Sequence, residues 1–200
     1  MLKIGGICGS LRKDSLNKKL LLASQHLCPS TATIEILDIS NLPLFNQDHE
    51  NNVIKEVVEF KEKVRKMDGI LFVSPEYNYR FFYFFSFSFP FESNNLSQKK
   101  KKKKKKKFFF PKYIINKINK SINKGTHGTV RAQSHLRQTF VFLDMIPLLT
   151  PEVCVPTGPD KFDETGKLID DFTKVKIEEQ LQTFIHLINL YKNAPEGYYV

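Results

Sequence analysis

No apolar stretch of this 200-residue chain is long enough to cross a membrane. The longest, Phe81–Phe91, has eleven residues and is interrupted by two serines and a proline, whereas a spanning helix needs about 20. Cysteine is also scarce. Cys8, Cys28 and Cys154 make an odd number with neither CxxC nor metal-ligand spacing, which argues against a disulfide framework or a metal centre and fits free thiols in a reducing compartment. A leader-type opening is missing as well, because Met1-Leu2-Lys3 runs straight into a strand-like segment. A cytoplasmic protein is the expectation.

Outside one place the chain also lacks charge imbalance. The net charge of +10 traces to Lys99–Lys107, nine lysines in a row; the remaining 22 basic residues face 21 acidic ones. The run could draw the chain to nucleic acid or an acidic membrane surface. It has no interleaved aromatics or glycines and no accompanying folded basic face, so neither partner is expected.

What is present reads as alternating strands and helices. Leu2–Cys8 is an apolar run ending in Gly9-Ser10, a buried first strand. Ser15–Cys28 carries Leu16, Leu20, Leu21, Ala23 and Leu27 at helical spacing, with Ser15 placed to cap it and Pro29 to stop it. Thr33–Asp38 is predicted as the second strand and Val53–Lys66 as the second helix. Gly69–Ser74, almost wholly apolar, suits a strand covered on both faces. Further on, His127–Leu143 is predicted helical, Glu152–Val155 a short strand, and Asp170–Tyr191 a long helix. Phe172, Val175, Leu181, Phe184, Ile188 and Tyr191 would form the apolar side of that last helix. This rhythm means a parallel α/β sheet.

Between Arg80 and Lys124 the grammar changes. Gly, Ala, Val, Asp, Thr, Met, His and Cys are all missing, and ten of the 18 Phe fall between Phe81 and Phe110. Phe81–Phe91 resembles a translated pyrimidine tract and Lys99–Lys107 a translated adenine tract. Segment 80–124 therefore reads as an aberrant low-complexity insert, a retained intron or a gene-model error, expected to lack fixed structure. A genuine insertion loop is the alternative. The domain proper is then 1–79 together with 125–192.

The first loop carries the chemistry. Gly9-Ser10-Leu11-Arg12-Lys13-Asp14-Ser15-Leu16-Asn17 joins the first strand to its helix. Such a loop aims backbone N–H groups and the positive helix end at one point. Ser10, Ser15, Asn17 and Arg12 add donors suited to a terminal monophosphate. The pattern is neither GxGxxG nor GxxxxGK[ST]. An ordinary turn with a capping serine is the other reading of the same residues.

Read as G-S-L-R-x-x-S-x-N, this loop resembles the phosphate loop of the NADPH-dependent FMN reductases, a family that includes soluble quinone and chromate reductases. Ser74-Pro75-Glu76-Tyr77-Asn78 is similar to the family's S-P-E-Y-N. Gly125–Gln133 with His135-Leu136-Arg137-Gln138 resembles its glycine loop and following helix, and Lys161–Leu168 (KFDETGKL) is a fourth, weaker match. The resemblance covers about 1–79 and 125–190. It implies an α/β, flavodoxin-like three-layer sandwich, a parallel sheet of order 2-1-3-4-5 whose strand 4 region is disrupted by the insert.

By this resemblance Ser10, Arg12, Ser15, Leu16 and Asn17 would hold the phosphate of FMN, while Pro75, Glu76, Tyr77 and Asn78 would lie against its ring and ribityl chain. The implied activity is transfer of two electrons from NAD(P)H through FMN to quinones or similar acceptors. A flavodoxin-like electron carrier and an inactive mis-spliced product of a reductase gene are the alternatives. No catalytic side chain and no metal ligand are nominated, since the flavin performs the chemistry. His127 suits a capping or solvent role, Cys8 a small buried residue, and Arg131 a subunit contact in a homodimer or homotetramer.

The family's fourth strand is not visible in 80–124. Losing five or so buried side chains would forfeit about 1.5–3 kcal/mol each, comparable to a domain's whole stability of about 5–15 kcal/mol. Phe81–Phe89 or Phe108–Ile115 could stand in for it. Poor folding or weak FMN binding is the consequence expected.

Overall fold

In the computed structural model, Leu2–Cys8 forms β1, with Ile4 and Ile7 fully buried on opposite faces. The structure describes residues 1–44, 46–49, 54–77, 80–81, 113–119, 129–142 and 145–194; of 77, 80–81, 113–119 and 141–142 it describes the backbone alone. Helix α1 (Leu16–His26) follows, then β2 (Ala32–Ile36), α2 (Lys55–Arg65) and β3 (Gly69–Ser74). Every residue of β3 is buried, as a strand covered by helices on both sides must be. Next come two short strands, β4 (Glu76–Tyr77) and β5 (Arg80–Phe81), and then β6 (Tyr113–Asn119), α3 (Val130–Phe142), β7 (Ile146–Pro147), β8 (Val153–Val155) and α4 (Asp171–Lys192).

The main sheet is parallel throughout. Its order is β2-β1-β3-β6-β7, with β8 also paired to β6. β7 lies beside Tyr113 and Ile114, and β8 beside Lys117, Ile118 and Asn119. The two short strands thus occupy one position, the fifth, and the order is 2-1-3-4-5.

Two cores sit on the two faces of the sheet. Leu20 and Leu21 of α1 and Ile177, Leu181, Phe184 and Ile188 of α4 meet Leu71 and Val73 on one face. Val64 of α2 and Leu136 and Phe140 of α3 meet Ile70 and Phe72 on the other, where Phe72 and Phe140 stack at 5.8 Å between ring centroids. Alternation along β3 sends successive side chains to opposite layers, producing the three-layer sandwich.

The fourth strand is present, at Tyr113–Asn119, inside the segment read as an insert. It overlaps the proposed stand-in Phe108–Ile115 only at Tyr113–Ile115. Tyr and three Ile suit a pleated strand, although the neighbouring lysines and asparagines obscure the pattern. Its register sets Lys117 between Val73 and Val153, which are buried on adjacent strands. The short strand Ile146–Pro147 and the β4–β5 pairing carry too little pattern to be foreseen. Helix α4 has the expected span, but Phe172 is 71% and Val175 49% exposed. They lie off the stripe formed by Ile177, Leu181, Phe184, Ile185 and Ile188. Leu143, the predicted end of the helix that is α3, lies outside the described residues.

The chain leaves the ladder between β7 and β8, and side chains bind the carbonyls there. Gln180 Nε2 donates to the Pro151 carbonyl at 2.8 Å and Gln133 Nε2 to that of Val153 at 3.4 Å. Arg137 donates to the Leu149 carbonyl and pairs with Glu152.

Candidate functional site

β1 and β3 are neighbours, with Cys8 opposite Val73. Beyond that pair the Gly9 N–H donates to the Val73 carbonyl at 2.8 Å. A Cβ on Gly9 would stand 2.7 Å from Ser74 Cβ, closer than side-chain atoms pack, so this approach requires glycine. Both loops of interest therefore leave the carboxyl ends of adjacent central strands side by side.

In the first loop Ser10 is half-buried, Leu11–Asp14 are exposed, and Ser15 and Asn17 are buried. Ser15 stands at the N-cap of α1 with extended backbone, yet its side chain makes no capping hydrogen bond. Its hydroxyl lies beside the Cys8 thiol. Leu16 packs against the core shared by α1 and α4, and this anchors the first turn. That turn contains no acidic residue and carries Lys18 and Lys19. The chain thus brings Ser10, Ser15, Leu16 and Asn17 together at one helix start, with Arg12 exposed on the loop above. Burial above all raises the Cys8 pKa, opposed by hydrogen bonds involving Ser10 and Ser15 and by the nearby Lys18 charge. Cys8 is accordingly a protonated, half-buried thiol that donates to the Ser10 carbonyl.

In the second loop Pro75 is buried and Glu76 half-buried. Tyr77 is described by its backbone, which pairs with Arg80 across the β4–β5 ladder. Asn78 lies outside the described residues, as does His127. Glu76 Oε2 accepts from the Ala132 N–H at 3.1 Å, linking this loop to the first turn of α3. Local sequence gave no hint of that bond, because its partners are 56 residues apart. Cys154, close by on β8, has its pKa raised by burial first and then by Glu152, with a smaller contribution from Glu76. Gln133, fully buried, donates to the Cys154 sulfur at 3.2 Å. Arg131 is exposed on α3.

The fourth motif serves the fold. Phe162 and Leu168 bridge antiparallel, and Asp163 accepts from the Lys167 N–H and the Thr165 hydroxyl, closing a turn at Gly166. Gly166 has φ +86° and lies beside the Lys19 side chain of α1. The hairpin delivers Asp170 to the N-cap of α4, where it accepts from the Thr173 N–H at 2.9 Å and pairs with Lys161 at 2.7 Å.

These residues fit the phosphate end of a flavin mononucleotide. The start of α1 is rich in N–H and hydroxyl donors, flanked by cations and free of first-turn carboxylates, which is the chemistry a dianionic phosphate requires. Among the described residues no group of three or more His, Cys, Asp or Glu is placed to hold a metal ion.

A 2-1-3-4-5 parallel sheet with a donor-rich loop beside a second loop at its central strand ends is the architecture of a flavodoxin-like flavoprotein. Residues 2–81 match the model of the NADPH-dependent FMN reductase family. The chain is 38% identical to an NAD(P)H-dependent FMN reductase of Pseudomonas aeruginosa, over 90% of this chain and 92% of that one. It is 36% identical to an NAD(P)H:quinone oxidoreductase of Solanum tuberosum, over 90% of each. Among solved structures, FerB of Paracoccus denitrificans, a flavoenzyme NAD(P)H:(acceptor) oxidoreductase, shares the fold with a TM-score of 0.75 at 22% identity, over 95% of this chain and 98% of that one. The chain belongs to the NADPH-dependent FMN reductase family.

Proposed function

We propose that this chain is an FMN-dependent oxidoreductase that takes electrons from NAD(P)H and delivers them in pairs to quinones or similar small acceptors. Bound FMN supplies the chemistry, accepting a hydride from the nicotinamide and passing two electrons on. The protein's own residues bind and orient. Ser10, Ser15, Asn17 and the N–H groups around Leu16 would hold the phosphate, with Arg12 adding charge. Pro75, Glu76, Tyr77 and Asn78 would hold the ring and ribityl chain, where backbone N–H groups would favour negative charge on the reduced ring. The observation that carries this reading is the Gly9–Val73 hydrogen bond of 2.8 Å, which keeps the two loops adjacent, as one mononucleotide spanning both requires.

The family's relatives include enzymes named for quinones, and this supports a quinone acceptor. No helix among the described residues is long and apolar enough to cross a membrane. We further propose a cytoplasmic homodimer or homotetramer with no nucleic-acid partner, and an origin of segment 80–124, the strand Tyr113–Asn119 excepted, in retained non-coding sequence. Transcript sequencing across those positions tests the last point, and light scattering tests the assembly.

The decisive experiment adds FMN to the purified chain and follows its visible absorption, then NAD(P)H oxidation with and without a quinone. A bound flavin with quinone-dependent turnover is expected. Flavin binding without NAD(P)H oxidation would make the chain an electron carrier, and no binding at all would make it an inactive product of a reductase gene.

A further inference from the structure

We propose that Glu76 is a positioning residue: by capping α3 it fixes the flavin-side loop after β3, and its carboxylate acts on the helix, not on the flavin. This rests on the FMN reading given above. Ala132 is the third residue of α3, whose first four N–H groups have no acceptor within the helix. Glu76 Oε2 accepts that N–H at 3.1 Å, and a carboxylate there also meets the positive end of the helix dipole. Thr129, fully buried, precedes the helix, and its carbonyl accepts from the Gln133 N–H at 3.0 Å. The geometry explains why a reach is needed. Ser74, Ile118 and Cys154 lie in one row across β3, β6 and β8. Helix α3 packs on the face of β3 that carries Ile70 and Phe72, and the Glu76 carboxylate spans from the end of that strand to the helix's first turn. Glu76 follows Pro75 directly, so the bond ties the loop's backbone to α3 within two residues of the strand end.

Two substitutions separate this role from direct electrostatics at the ring. E76Q keeps length and acceptor but loses charge, whereas E76D keeps charge but loses reach. If Glu76 positions the loop, E76Q should hold FMN within about twofold of the parent, and E76D and E76A should weaken it by roughly five- to tenfold, the size of a lost helix cap. The FMN midpoint potential should be the same in the parent and E76Q. Hydrogen exchange of the full chain without flavin adds a direct reporter: the Ala132 amide should be protected in the parent and E76Q and exposed in E76D and E76A.

The opposite pattern, with E76D retaining binding and E76Q losing it with a shifted potential, would overturn the proposal. So would an Ala132 amide indifferent to all three changes. Failure of the parent chain to bind FMN would instead count against the proposed function, and the amide measurement would still decide whether the cap exists. Should E76A fail to fold, the contrast between E76Q and E76D carries the test.

Discussion

Two helices of this protein begin in opposite ways. Helix α4 starts closed: Asp170 accepts from the Thr173 N–H and hydroxyl, binds Lys161, and is followed by Asp171 in the first turn. These contacts hold the Asp170 pKa down to about 2, through Lys161 first and Thr173 second. Helix α1 starts open: Ser15 occupies the cap without making the capping bond, the first turn has no acid, and Lys18 and Lys19 sit within it. Where a helix start supplies its own anion, it serves stability. Where the cap residue makes no such bond, as at Ser15, the helix start suits an anion from outside. The hairpin leading to α4 also approaches α1, since a Cβ added at Gly166 would stand 2.9 Å from Lys19 Cε.

The strongest way to break the contrast is to close α1 as α4 is closed. Ser15→Asp sets a carboxylate where the phosphate would sit and should weaken FMN binding roughly a hundredfold or more while the flavin-free chain stays folded; fluorescence titration and a thermal melt read the two effects. Opening α4 should do the reverse. Asp170→Ala should cost about 1–2 kcal/mol of stability with FMN affinity unchanged, measured by denaturant unfolding. The pH dependence has a defined sign. Because the folded-state pKa lies below the ordinary 3.8, the stabilisation is complete above about pH 4–5 and disappears as pH falls through about 2. The parent and the variant should therefore converge in acid.

Gly166→Ala probes the approach of that hairpin to α1. A residue with a Cβ at φ +86° is strained, and the Cβ would stand 2.9 Å from Lys19 Cε, though the flexible lysine can yield. A loss of about 1 kcal/mol in unfolding free energy is expected. The smallest effect should come from Ser15→Ala: with no capping bond to lose, it should cost the flavin-free chain at most about 0.5 kcal/mol, well below Asp170→Ala, and a pair of melts checks the difference.

Much of the fold was legible because buried strands and one-sided helices write their periodicity directly. Gly69–Ser74 was foreseen to the residue, and the predicted helix Asp170–Tyr191 differs from α4 by one residue at each end. Other elements were hidden for identifiable reasons. Tyr113–Asn119 contains Asn116, Lys117 and Asn119 beside a lysine-rich tract, and only its pairing with β3 on one side and β7 and β8 on the other makes it a central strand. Phe172 and Val175 match an apolar spacing but face away from the sheet, because spacing gives relative angles and not the direction of the core. At the site, Ser10, Ser15 and Asn17 could be nominated from a nine-residue pattern. The Glu76–Ala132 bond could not, since no local rule connects residues so far apart.

By itself the sequence determined which segments bury apolar surface and which loop is rich in anion donors, because both depend on residues within a few positions of one another. Tertiary structure alone decided that the loops after β1 and β3 emerge together, that Tyr113–Asn119 becomes a central strand, and that Asp170 makes a capping bond while Ser15 makes none. The first two of those facts are pairings between distant parts of the chain, fixed only when strand register and layer packing bring them within hydrogen-bonding distance.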